Sequence, residues 1–162
     1  MKKLFILLFL PILLISCTEK TPFDRGEPAP SFETTDVEGN KQTIAQHTKD
    51  NKVVMLYFWA DWCPTCKQEF PETQSYYEKL NKEGLQVLAI NVKQPKEASE
   101  KFKKQFGATF PMLIDEEGKI SDLYQVKELP TNFFIDSEGK IIRKIVGWVS
   151  QQQAEVMLKQ QK

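Results

Sequence analysis

Eight consecutive apolar residues, Val53–Ala60 (VVMLYFWA), constrain the fold more than any other stretch of this 162-residue chain. A strand with one face in water alternates apolar and polar side chains. This run has no polar position, so it reads as a central strand covered on both faces. Coverage on two sides calls for helices, and the sequence that follows supplies them. Pro64–Asn81 predicts a helix, with Phe70 and Tyr77 seven residues apart, Gly84 near its C-terminal end, and Pro71 expected to bend it. Leu85–Val92 (LQVLAINV) reads as another strand. Lys96–Phe106 reads as a helix presenting Ala98, Phe102 and Phe106 on one face, stopped by Gly107. Ser150-Gln-Gln-Gln153 is a capping box that opens the last helix.

An Asp-x-Glu-Gly string occurs three times, at Asp36–Gly39, Asp115–Gly118 and Asp136–Gly139. Asp starts such turns by bonding its own backbone, and Gly supplies the positive φ. A calcium loop would need further oxygen ligands that these strings lack. Two of the turns link strand-like segments, Phe32–Thr35 with Lys41–Ile44, and Asn132–Ile135 with Ile141–Val146. Strand, helix, strand, helix, hairpin and helix describe an α/β domain with a mixed central sheet and an N-terminal hairpin.

The N-terminus is of another kind. Met1-Lys2-Lys3 precedes Leu4–Ile15 (LFILLFLPILLI), an apolar run short of the roughly 20 residues that a bilayer requires but long enough for a signal-peptide core. It ends in Leu14-Ile15-Ser16-Cys17, which resembles the lipobox of bacterial lipoproteins. The expectation is a signal peptide over residues 1–16 and a lipid on Cys17, against a plain signal peptide with an incidental cysteine. Thr18–Pro30 (TEKTPFDRGEPAP) is polar and Pro-rich and reads as a tether spanning at most about 43 Å. Residues 31–162 then form one domain, placed outside the cytoplasm and close to a bacterial membrane. Charges balance at 22 of each sign over the whole chain, and loss of Lys2 and Lys3 leaves about −2. With no basic stripe, nucleic acid is not an expected partner, and a monomer is expected.

An exported chain keeps disulfides, and with Cys17 acylated only Cys63 and Cys66 remain. A bridge between residues so close closes a tiny loop and gains little stability, which argues against a structural staple. A zinc site would need two more ligands, and His47 is the only histidine. Cys63 stands where a buried strand turns into a helix. Free amides and the positive end of the helix dipole favour its thiolate there. Pro64 suits the first helical turn, where its missing N–H has no partner to lose. Cys66 lies one turn further in, less exposed. An attacking sulfur with a resolving partner is what thiol–disulfide exchange requires.

With the pair come Trp59–Lys67 (W-A-x-W-C-x-x-C-K), Glu69-Phe70-Pro71 and Leu129–Asp136 (LPTNFFID). These resemble the thioredoxin superfamily and, with the lipobox, its TlpA/ResA-type extracytoplasmic thiol–disulfide oxidoreductases. The resemblance covers nearly all of Pro28–Lys162 and implies a thioredoxin fold with an insertion after the third strand. It implies Cys63 as nucleophile, Cys66 as resolving thiol and Pro130 as a cis-proline beside the disulfide, with Leu129 offering backbone to an extended substrate. Without the resemblance, the general preference of X–Pro bonds would make this one trans. Trp62 shields the site or fills the core, and both readings stand. Pro64-Thr65 is the dipeptide that tunes the potential.

Where thioredoxin carries a buried Asp this chain has Tyr57, so a proton relay must come from elsewhere. ResA-like proteins carry a Glu at the position of Glu69. The competing reading of Glu69 is a surface carboxylate near Lys67. The resemblance implies disulfide-bearing exported proteins as substrates, apocytochrome c among them, a membrane thiol-transfer protein as reductant, and no dissociable cofactor or metal. Two rivals fit less well. A peroxiredoxin-like peroxidase would place Thr where Ala60 stands. A Sco-type copper chaperone would use C-x-x-x-C and a downstream histidine, whereas His47 lies upstream.

Overall fold

A computed structural model describes residues 22–161. The expected signal peptide and the lipidation expected on Cys17 lie outside the described residues. Among those described, no helix is long and apolar enough to cross a membrane.

The chain runs β1 (Glu33–Thr35), β2 (Lys41–Thr43), α1 (Ile44–Asp50), β3 (Val53–Trp59), α2 (Pro64–Leu80) and, after a 3₁₀ turn, β4 (Leu85–Val92). It continues with α3 (Lys96–Phe106), β5 (Met112–Asp115), α4 (Lys119–Leu123), β6 (Thr131–Asp136), β7 (Ile141–Val146) and α5 (Gln151–Lys159). The main sheet has the order β5-β4-β3-β6-β7, parallel from β3 through β5 and antiparallel across β6 and β7. This is the expected α/β architecture, a thioredoxin-type mixed sheet with helices on both faces.

Strand β3 sits at the centre, and the reason is its composition. Val53, Met55, Tyr57 and Trp59 enter one core with Phe70, Tyr76, Phe102 and Met157, from α2, α3 and α5. Val54, Leu56 and Phe58 enter the opposite core with Ile44 of α1, Ile120 of α4 and Tyr124, which caps the C-terminal end of α4. Each residue of the run is fully buried, so a charged side chain at any of them would have to be paired inside the core.

All three Asp-x-Glu-Gly turns form as expected. The N–H of Gly39, Gly118 and Gly139 donates to the carbonyl of Asp36, Asp115 and Asp136, each at 3.0 Å, with all three glycines at positive φ. The capping box at Ser150 and Gln153 is present. β4 and α3 have the expected bounds, and α2 continues across Pro71 to Leu80.

Three elements have no counterpart in the sequence reading, namely α1, β5 and α4. Each is short, and each is held by the rest of the fold. β5 pairs only with β4, while a bridge from Asp36 to Leu113 brings the β1–β2 hairpin onto it. The Asp115 carboxylate accepts from the N–H groups of Ile120 and Ser121, holding the start of α4. Pro22–Pro30, read from the sequence as tether, lies against the domain. Gly26 N–H donates to Ile141 at 2.8 Å, and Phe23 meets Tyr124 and Phe133 ring to ring.

Candidate active site

Cys63 and Cys66 form a disulfide, with Cα atoms 5.2 Å apart. Cys63 is the N-cap of α2, and its Sγ accepts the N–H of Cys66 at 3.1 Å. Pro64 occupies the first turn, and no acidic residue there offsets the helix dipole. These features stabilise negative charge on the Cys63 sulfur when the bridge opens. Exposure follows the expected order, 3% for Cys63 against 0% for Cys66, but the contrast is smaller than the sequence suggested. In the disulfide form each sulfur screens the other.

The register places a second element beside this end of β3. Phe58 pairs with Thr131, so Leu129 and Pro130 precede β6 at the same end of the sheet from which Cys63 departs. The Leu129–Pro130 bond is cis, Pro130 is buried, and Leu129 is half-buried. Pro130 O accepts the N–H of Gly147 at 2.8 Å, and Asn132 Nδ2 donates to Gly147 O at 3.0 Å. The loop from β7 to α5 is thereby fixed to the cis-proline segment.

That loop also reaches Glu69. Val149 N–H donates to Glu69 Oε1 at 2.9 Å across 80 residues of sequence. Glu69 is fully buried, and its Oε2 has no hydrogen-bond partner among the described residues. Burial pushes its pKa up to about 7, the Val149 N–H pulls it down, and the Glu72 carboxylate pushes it up again. The surface reading of Glu69 is therefore corrected. It projects inward one turn after Cys66, with Lys67 exposed on the outer face.

Tyr57 fills the position of thioredoxin's buried acid with a different group. Its hydroxyl donates to Cys66 O at 3.3 Å. Burial, and next the Glu69 charge, hold its pKa well above the usual tyrosine range, so it stays protonated at neutral pH. Trp62 is 64% exposed, which removes the reading of a core aromatic. It lies in the loop past the end of β3. The neighbouring Trp59 takes the core position, 4.2 Å from the Phe102 ring centroid.

Sequence reasoning missed Val149, Asp61, Gln94 and Asn91. The Asp61 N–H and carboxylate both bond the Gln94 side chain, and Asn91 Nδ2 donates to Gln94 Oε1. No local pattern signals these contacts, since the partners of Asp61 lie 33 residues downstream. A cavity of about 1040 Å³ lies elsewhere, between Phe23, Arg143 and Met157.

Comparison with known proteins shows the family. A family profile described as AhpC/TSA matches residues 25–144. The thiol-disulfide oxidoreductase ResA of Geobacillus kaustophilus is 38% identical over 85% of this chain and 78% of its own length. That of Bacillus subtilis is 33% identical over 82% of this chain and 73% of its own. Among solved structures, a Chlorobium tepidum chain provisionally assigned as the thiol:disulfide interchange protein DsbE superposes with a TM-score of 0.76 at 34% identity. It covers 84% of this chain and 99% of the other. StoA of Bacillus subtilis gives 0.68 at 27% identity, over 82% and 98%. A C-x-x-C disulfide at a helix N-terminus, on this sheet and among these relatives, is thiol–disulfide exchange machinery, and the chain belongs to the AhpC/TSA family and to its ResA-like thiol–disulfide oxidoreductases.

Proposed function

We propose that this oxidoreductase acts outside the cytoplasm as a lipid-anchored reductase of disulfides in exported proteins. The observation that carries the reading is the pairing of a helix-capping Cys63 with a buried Glu69 one turn beyond Cys66. The Cys63 thiolate attacks a client disulfide, forming a mixed disulfide and releasing one client thiolate. The Glu69 carboxylate takes the proton of Cys66. The Cys66 thiolate then attacks Cys63 Sγ, the second client thiolate leaves, and the protein ends as the Cys63–Cys66 disulfide. Two electrons pass to the client, and a membrane thiol-transfer protein returns them to the pair.

Leu129 supplies backbone to an extended client segment, with Pro130 facing the disulfide beside it, and the exposed Trp62 with Pro64 forms the rim. An exposed rim suits a protein client better than a small molecule. Anchoring through Cys17 rests on the lipobox-like Leu14–Cys17, and the proposed apocytochrome c client rests on the ResA-like pattern.

The test uses a peptide closed by an internal Cys-x-x-Cys-His disulfide, with thiols counted by alkylation. Stoichiometric reduction by the dithiol protein is the expected result. Normal exchange with glutathione without peptide reduction would refute the client class. Mass spectrometry of the membrane fraction should find diacylglyceryl on Cys17, and a soluble mature protein beginning elsewhere would refute the anchor.

A further inference from the structure

The side chain of Gln94 lies between β4 and the loop that leads into Cys63. Its Oε1 accepts from Asp61 N–H and from Asn91 Nδ2, each at 2.9 Å. Its Nε2 donates to Asp61 Oδ1 at 2.6 Å. Only one orientation of the amide serves all three contacts, because the oxygen faces two donors and the nitrogen faces a carboxylate.

The arm that carries Gln94 is itself held. Lys93 leaves β4 in the left-handed region at φ 52, its N–H donates to Asp115 O at 3.0 Å, and its ammonium bonds Asp122. Asp61, at the other end, is two residues before Cys63, whose N–H closes on Ala60 O at 3.2 Å. A displacement of Asp61 therefore passes to Cys63 through two peptide units.

We infer that Gln94 is a positioning residue for the exchange reaction, clamping Asp61 so that Cys63 is held where it closes on Cys66. The inference rests on exchange at Cys63 and Cys66, and on neither the client nor the direction of electron flow. The clamp and the disulfide order the same short loop, so each lowers the entropy cost of the other. With the clamp gone, the two sulfurs meet less often. The dithiol gains ground at equilibrium and the mixed disulfide resolves more slowly.

The experiment equilibrates the full-length protein with glutathione, in which the disulfide plus two GSH gives the dithiol plus GSSG, and counts thiols by alkylation. Gln94→Ala should raise the equilibrium constant for reduction about threefold to tenfold, from the modest net worth of such hydrogen bonds. Tenfold is about 30 mV for this two-electron couple. Asp61→Ala, which keeps the backbone contact, should shift it less and in the same direction. Adding it to Gln94→Ala should shift it no further. Asp61→Asn keeps both the N–H and an acceptor oxygen and should stay within twofold of wild type.

A merely structural Gln94 would lower the melting temperature of both redox forms alike and leave the equilibrium unmoved, which would overturn the inference. So would Asp61→Asn shifting as far as Asp61→Ala, because the effect would then belong to the charge. That pair decides the matter alone if Gln94→Ala does not fold. A wild type that never equilibrates with glutathione would remove the exchange reading itself, a result distinct from unmoved variants.

Discussion

On its α2 side the disulfide loop adjoins a buried carboxylate, and on its β4 side it rests against a neutral amide. Glu69 has one oxygen bonded to Val149 N–H and one without a partner among the described residues. Gln94 has its oxygen doubly bonded and its nitrogen bonded to Asp61. The unpaired side is costly to ionise and able to take a proton near neutral pH. The satisfied side holds geometry and has no proton to trade. On the proposed reading, this difference separates proton transfer, at Glu69, from positioning, at Gln94.

Removal of the sulfurs bounds the comparison and has the largest effect. Cys63→Ser should reduce disulfide exchange to the uncatalysed background, while Cys66→Ser should trap a mixed disulfide visible on a non-reducing gel. Faster alkylation of Cys66 than of Cys63 in the reduced protein would reverse the roles.

Next is Glu69→Gln, which keeps the shape and the Val149 contact but removes the base. Exchange should slow by roughly 100-fold, and the wild-type rise in rate through about pH 7 should vanish. Rate–pH curves that superimpose between pH 5 and 9 would leave positioning as the only work done around the disulfide.

The same carboxyl gives a stability signature of definite sign. Its folded-state pKa of about 7 lies above the ordinary value of 4.5, so its contribution is fully present below pH 4.5 and is lost as pH rises through 7. At 1.36 kcal/mol per unit this is on the order of 2 kcal/mol after relaxation of the site. Denaturant titrations at pH 4 and pH 8 should show wild type losing that amount relative to Glu69→Gln. Parallel behaviour of the two would show that Glu69 is solvated.

The smallest effect concerns the support of Val149. Ser150→Ala removes the N-cap of α5 at a cost of about 1 kcal/mol, measurable by thermal unfolding. A looser Val149 N–H should also move the Glu69-dependent step in the rate to higher pH. No movement would mean that the loop holds Val149 without its cap.

Elements that bury a face by their own periodicity were legible in the sequence. β4 and α3 have the expected bounds, and β3 extends over Val53–Trp59 because its composition allows no other place than the centre of the sheet. β5 was not legible, because four residues carry no period and its pairing partner is 20 or more residues upstream. Cys63 and Cys66 were legible from spacing and position. Pro130 as a cis-proline came from the resemblance, and Glu69 came from it together with the empty position at Tyr57. Local propensity left Glu69 on the surface.

The sequence by itself determined the layers, the strand-to-helix junction that carries the cysteines, and the three Asp-x-Glu-Gly turns. All of these depend on neighbours within a few residues, where backbone sterics and helix or strand periods act directly. Only the tertiary structure decided that Trp62 is exposed, that Glu69 meets Val149, and that Gln94 meets Asp61. Such contacts join residues 33 to 80 positions apart. Their partners come within reach only after the sheet has ordered its strands, so the energies that select them have no local trace in the chain.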